Sequence, residues 1–193
     1  MVIEQRLYTV EDVWELSHKP ENANHHYYLI DGELYSTMPP GGTHGSLAGE
    51  ISRLIGNFVR AYNLGRFTVE TGFHPPNDRG TLLSPDVAFL SKSTMPGPLP
   101  AMFVPIMPDL AVEVMSPTDS LSELHRKAET YLRHGTSMVW IVKPSEKGVD
   151  VCRAGDDGGM RIESVGKDGV LSGETVLSGF ELDLSELFNL AES

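Results

Sequence analysis

Apolar and polar positions alternate in two distinct ways along this chain, and the two periods divide it into helices and strands. From Leu47 through Ile51, Leu54, Ile55, Phe58 and Tyr62, apolar residues recur every three or four positions. That is the period of a helix burying one stripe, and it predicts a long helix after Pro39-Pro40-Gly41-Gly42, ended by Gly65. A second helix is expected from about Leu121 to His134, capped by Gly135, with Leu121, Leu124, Ala128 and Tyr131 turned inward. Thr9 with Asp12 reads as a capping-box variant opening a short helix that Pro20 closes, and a further short helix is expected near Ser185 to Leu190.

Strand-like runs occupy the remaining apolar segments. Tyr27 to Met38 reads as a hairpin turning at Asp31-Gly32, a dipeptide suited to a type I′ turn. Arg66 to Phe73, the run opening at Asp86, the run from Asp109 to Met115, and Val139 to Val142 follow as strands. Val149 to Arg153 is expected to pair with Met160 to Val165 as an edge hairpin. Residues 91–108 carry Pro96, Pro98, Pro100, Pro105 and Pro108, which predicts an extended excursion of the kind that often contacts a partner. With no internal repeat and no linker, the expectation is one α/β (mixed α+β) domain over residues 1–193, a mixed β-sheet flanked by helices.

Composition narrows the class. At 193 residues and 40% hydrophobic content, the chain is long enough to bury a core without covalent staples. The single Cys152 excludes an intrachain disulfide framework or a thiolate zinc site. No apolar stretch is long enough to span a bilayer and no signal-peptide pattern opens the chain, so the cytoplasm is the expected compartment. The formal net charge of −12 argues against loose binding to a polyanion. Against that background, His125 to Lys143 holds Arg126, Lys127, Arg133, Lys143 and His134 with only Glu129 as an acid, a pattern that fits a local basic face or an ordinary solvated helix face.

Two carboxylates interrupt the apolar strands. Asp86 opens the run Ser84 to Leu90, and Glu113 lies within the run Asp109 to Met115. Strand alternation puts Glu113 on a face with Asp109, Ala111 and Met115, opposite Leu110, Val112 and Val114. An uncompensated carboxylate in such a position costs several kcal/mol of desolvation. Two of them on successive strands, with Lys127 on the helix that follows, suggest a hard divalent cation beside a water-activating group, the chemistry of phosphodiester hydrolysis. That reading requires Asp86 and Glu113 within about 8 Å of each other. Blander readings stand beside it. Glu113 fits a structural acid paired to an arginine, Asp86 a strand start after Pro85, and Lys127 a snorkelling lysine paired with Glu123 one turn earlier. Glu33, on the hairpin, reads as a third carboxylate or as a solvent-facing strand residue. His44 opens the long helix, where free amides suit a phosphate or where it is simply a first-turn residue. His25 and His26 make no ligand spacing. Asp109 lies four residues from Glu113 on one strand, roughly 13 Å away at strand rise, so Asp86 is the better partner.

Taken in order, these residues resemble the Uma2 family (DUF820) of the PD-(D/E)XK restriction-endonuclease-like superfamily. The matching segments are Leu29-Ile30-Asp31-Gly32-Glu33-Leu34, Gly41-Gly42-Thr43-His44, Pro85-Asp86-Val87-Ala88 and Leu110 through Pro117, followed by Lys127, Tyr131, Gly135 and Val139-Trp140-Ile141-Val142. The likeness runs from about Leu7 to Phe188. It implies a restriction-endonuclease-like core and a metal-dependent endonuclease acting on nucleic acid, with DNA the expected polymer. Asp86 would be the motif aspartate and Glu113 the motif acid, holding Mg²⁺ or Mn²⁺ together with the Val114 carbonyl. The superfamily's lysine position falls on Met115, so Lys127 would take that role from the following helix, and Glu33 would be the extra N-terminal carboxylate. The family usually carries a glutamate where this chain has Tyr28. Cutting a duplex implies a homodimer with two sites.

The competing expectation is a catalytically silent nuclease fold kept as an oligomerisation or partner-binding module, with Lys127 locked to Glu123 and the pocket filled. Glycoside hydrolysis by the carboxylate pair would need a sugar-stacking aromatic cleft, and Trp14 and Trp140 are the chain's two tryptophans.

Overall fold

A six-stranded mixed sheet carries the architecture, with helices on both of its faces. The computed structural model describes residues 6–23 and 25–192. In chain order the elements are α1 (Val10–Ser17), the hairpin β1 (His26–Ile30) and β2 (Glu33–Thr37), α2 (Gly42–Ala61), β3 (Gly65–Val69), β4 (Val87–Ser91), β5 (Leu110–Val114), α3 (Leu121–Arg133), β6 (Met138–Lys143), β7 (Gly148–Ala154), β8 (Met160–Val165), β9 (Val170–Ser172), β10 (Glu181–Asp183) and α4 (Leu184–Glu192). The main sheet runs β3-β4-β5-β6-β7-β8. Only β5 and β6 are parallel, because α3 crosses between them, and every other neighbour pair is antiparallel.

The two faces follow from strict alternation. Val87, Phe89, Leu110, Val112, Val114 and Trp140 point to the side covered by α2 and α4. Ala88, Leu90, Ala111, Val139 and Ile141 point to the side covered by α3. On α2, Leu47, Ile51, Ile55 and Val59 recur every fourth residue and are all buried, so this helix contributes one continuous apolar ridge. Each such side chain, fully buried, contributes about 1.5–3 kcal/mol.

Several local expectations hold, with shifts that have clear causes. Thr9 and Asp12 form the complete capping box of α1. The hairpin turns at Asp31 (φ 51) and Gly32 (φ 83), both left-handed as a type I′ turn requires. The long helix stops at Tyr62, before Gly65, and Tyr62 is exposed instead of buried. Gly65 instead begins β3, where a Cβ would collide with the Leu90 carbonyl oxygen. Its glycine therefore serves strand approach, not a helix cap. The ribbon β9–β10 had no counterpart in the sequence reading; its strands are three residues long, too short for a period to register.

The hairpin β1–β2 forms its own sheet but is tied to the body by backbone bonds between Leu29 and Leu82 in both directions, at 2.7 and 3.1 Å. The proline-rich stretch adds Val104, which pairs with Phe73, and Met107, so it contributes to the core under α3. Among the described residues, no helix is long and apolar enough to cross a membrane.

Candidate active site

Sheet register brings the two strand acids together. Val87 pairs with Val112, so one step further Asp86 lies across from Glu113 at the end of β4 and β5. Directly opposed residues in an antiparallel pair have Cα atoms about 4.5–5.5 Å apart, well inside the limit for a shared ion. The Val114 amide donates to Asp86 Oδ2 at 2.6 Å, which locks that carboxylate onto the start of the pair. Asp86 needs no strand of its own to be held; the neighbouring backbone aims it.

The helix that follows β5 completes the arrangement. Lys127 Nζ donates to Glu113 Oε2 at 3.1 Å, and the Tyr131 hydroxyl donates to Glu113 Oε1 at 2.9 Å. Lys127 and Tyr131 are one turn apart on α3, so the same helix face that covers the sheet delivers both donors. The competing partner, Glu123, instead closes a capping box with Ser120 at the start of α3. From the hairpin, the Tyr28 ring lies 4.5 Å from the Lys127 ammonium and stacks on Tyr35. A desolvated cation over an aromatic face is stabilised by about 2 kcal/mol. Tyr28 thus meets the site with the π-face of a neutral ring, at the position where the resemblance leads one to expect a carboxylate.

Electrostatics differ from group to group. Burial pushes the Glu113 carboxyl above its ordinary value, and the charge of Asp86 adds to the rise while Lys127 and Tyr131 oppose it. Burial works against the Lys127 ammonium, but the charge and hydrogen bond of Glu113 outweigh it and its pKa ends raised. Tyr131 is held well above its usual value by burial first and by Glu113 second, so it remains a hydroxyl donor. His44, at the start of α2, places Nε2 3.2 Å from Asp86 Oδ2. Burial lowers its pKa, yet the hydrogen bond and charge of Asp86 carry it above normal.

A cleft of about 90 Å³ opens over Asp86, Glu113, Val114 and Lys127, walled by the open end of the hairpin and by the segment from Met38 to His44. Glu33 is not among these residues. It sits at the closed end of the hairpin, paired with Ile30, and its carboxylate accepts from the Tyr35 hydroxyl. It lines a separate, larger cavity of about 660 Å³ with Asp31, Arg126 and Arg133. The structure therefore brings together Asp86, Glu113, Val114 and Lys127 and leaves Glu33 outside, because a five-residue strand separates the hairpin's two ends.

The basic face suggested by residues 125–143 does not assemble. Arg126 donates to Tyr35, Arg133 pairs with Asp31, and Lys143 pairs with Asp150 and Glu146. Among the described residues, no group of three or more His, Cys, Asp or Glu side chains is gathered in a form that could hold a metal ion. The oxygens of Asp86 and Glu113 still fit a hard cation of the Mg²⁺ type, which is commonly held by one or two carboxylates and completed by water and substrate phosphate. In the sequence Tyr131 reads as a core residue of the helix stripe, although its spacing from Lys127 carries the signal. Nothing in the sequence ties His44 to Asp86, and the fold alone brings them together.

A mixed sheet with helices on both faces, and a strand-borne acid pair at the end of its central antiparallel strands, is the layout of a nuclease-type fold. The chain belongs to the Uma2 family, whose model, described as "Putative restriction endonuclease", matches residues 10–185. Among solved structures it is similar to a protein from Anabaena variabilis ATCC 29413 described as a putative nuclease belonging to DUF820. The identity is 22%, the match covers 95% of this chain and 98% of that one, and the TM-score is 0.77. No curated protein matches the chain.

Proposed function

We propose that this protein is a metal-dependent nuclease that hydrolyses phosphodiester bonds of nucleic acid at the cleft over Asp86 and Glu113. The observation that carries the reading is the opposition of these two acids across β4 and β5, with Lys127 bound to Glu113 instead of Glu123. Family membership and the descriptions attached to the family and to its structural neighbour support the same chemistry.

Asp86, Glu113 and the Val114 carbonyl would hold Mg²⁺ or Mn²⁺, which supplies a Lewis acid for the phosphate and lowers the pKa of a bound water. The chain's own residues supply the rest. The Val114 amide and His44 fix the Asp86 carboxylate in one orientation. Tyr131 holds one oxygen of Glu113 and Lys127 the other, which keeps the Lys127 ammonium beside the cleft. Lys127 would neutralise charge that develops on the phosphoryl oxygens, a role its raised pKa suits because it stays protonated. Tyr28 backs that ammonium without cancelling its charge. The silent-module alternative expects Lys127 tied to Glu123 and a filled pocket, and neither feature is present among the described residues.

The deciding experiment compares Mn²⁺ binding and nucleic-acid cleavage by the wild type and by the Asp86→Asn/Glu113→Gln double variant. Loss of both properties in the variant is expected. Equal Mn²⁺ binding by the two proteins, with no cleavage by either, would sink the proposal. Cutting both strands of a duplex would engage two copies, so a homodimer belongs to that mode of action, and the mass in solution tests it.

A further inference from the structure

We infer that the strand this site takes is single-stranded nucleic acid, a free strand or an overhang, and not continuous duplex. This inference rests on the nuclease reading above and narrows its substrate. Against about 660 Å³ for the cavity at the closed end of the hairpin, the cleft is small, about 90 Å³. Glu113 is almost completely buried at its floor, so a phosphodiester must descend into the recess to reach it.

The surroundings penalise any additional phosphate. Glu70 and Asp119 line the same cleft beyond the reacting pair. Glu70 sits 3.6 Å from the half-exposed His26 ring and Asp119 accepts from the Ser116 amide, and both remain acids on the cleft wall. Duplex binding draws its affinity from many phosphates laid along lysines and arginines, and among the described residues that line this cleft Lys127 is the one such side chain. Duplex DNA is also stiff, with a persistence length of about 50 nm, so it does not sink one phosphate while lifting its neighbours away from two carboxylates.

A single strand avoids both penalties. Its backbone rotates freely, so one phosphate can enter while the flanking phosphates turn outward and their bases turn inward. The lip supplies surfaces for those bases: Met38 is 66% exposed, with Pro40 and the half-exposed His26 ring beside it. Stacking of bases on such groups tolerates any sequence. A single strand also needs only one site per cut, so this substrate does not call for a dimer.

The test uses the full chain with Mn²⁺ and five probes: a DNA single strand, the same strand annealed to its complement, the duplex with a 5′ overhang, an RNA single strand of the same sequence, and a small aryl phosphodiester. The expected result is a kcat/KM at least about tenfold higher for single strands than for the blunt duplex, with cuts confined to the overhang. Met38→Ala, which adds no charge, is expected to raise KM for single strands several-fold with little change in kcat and no change in KM for the small aryl phosphodiester. Duplex cut as fast as single strand, or an unchanged KM for single strands in Met38→Ala, overturns the inference and leaves the nuclease reading standing. Hydrolysis of the small diester alone also overturns it. Hydrolysis of none of the five overturns both.

Discussion

Glu113 and Asp150 occupy one row of the sheet, with Ile141 between them, and both face α3. Each is a nearly fully buried acid in a strand, and each has a lysine beside it. Their electrostatics nevertheless run in opposite directions. Burial pushes Asp150 up, but hydrogen bonds from Lys143 and Ser164 outweigh it and the carboxyl ends below its ordinary value. For Glu113 burial wins, helped by the charge of Asp86 opposite, and the carboxyl ends above. Asp150 has its donors on neighbouring strands and lines none of the clefts described above. Glu113 faces a second acid across the ladder and an opening. A buried acid with a lysine is thus not one kind of site: the first is compensated and structural, the second is left in need of more positive charge. The Asp86 side is where a cation would be taken up.

The largest effect that tests this contrast is on activity. Glu113→Gln is expected to lower the cleavage rate by about a thousandfold or more, the scale seen when a charge-stabilising group is lost, while Asp150→Asn stays within a few-fold of wild type per mole of folded protein. Comparable losses in both would erase the distinction.

Stability is expected to order the two variants the other way. Asp150→Asn leaves the buried Lys143 with the exposed Glu146 as its remaining acid and should cost about 3 kcal/mol in urea titrations, the lower end for breaking a buried pair. Glu113→Gln also strips the buried Lys127 of its carboxylate, but the native environment already disfavours the charged Glu113, so its cost should be the smaller of the two. Their pH dependence has opposite sign. A depressed carboxyl such as Asp150 contributes stability above the unfolded carboxylate range, lost as pH falls through its folded value. A raised carboxyl such as Glu113 favours the folded state most below that range, and the advantage disappears as pH rises through its folded value. Between about pH 4 and neutrality the Asp150→Asn deficit should therefore grow or hold, while the Glu113→Gln deficit shrinks. Parallel slopes in the two titrations would count against the assignment.

The smallest effect concerns access. Cys152 lies two residues beyond Asp150 on β7, and burial pushes its thiol up to about 12. A thiol reagent at pH 8 should leave it unmodified in the native protein and label it only on unfolding. Rapid labelling of the folded chain would mean that the Asp150 end of the row is as open as the Glu113 end.

Much of this was legible from neighbouring residues. The ridge Leu47-Ile51-Ile55-Val59, the Thr9–Asp12 box and the Asp31-Gly32 turn are written in local spacing, because helices, caps and tight turns are decided within a few residues of chain. The pairing of Asp86 with Glu113 was also within reach, since both acids sit at odds with their apolar strands and the helix carrying Lys127 follows at once. Glu33 misled because a carboxylate on a hairpin has no local sign of which end of that hairpin meets the body. His44 on Asp86, Tyr28 under Lys127 and the dispersal of Arg126, Arg133 and Lys143 are contacts between residues remote in the chain. Sheet register and helix docking decided them, and these depend on how whole faces pack, which no run of neighbouring residues encodes.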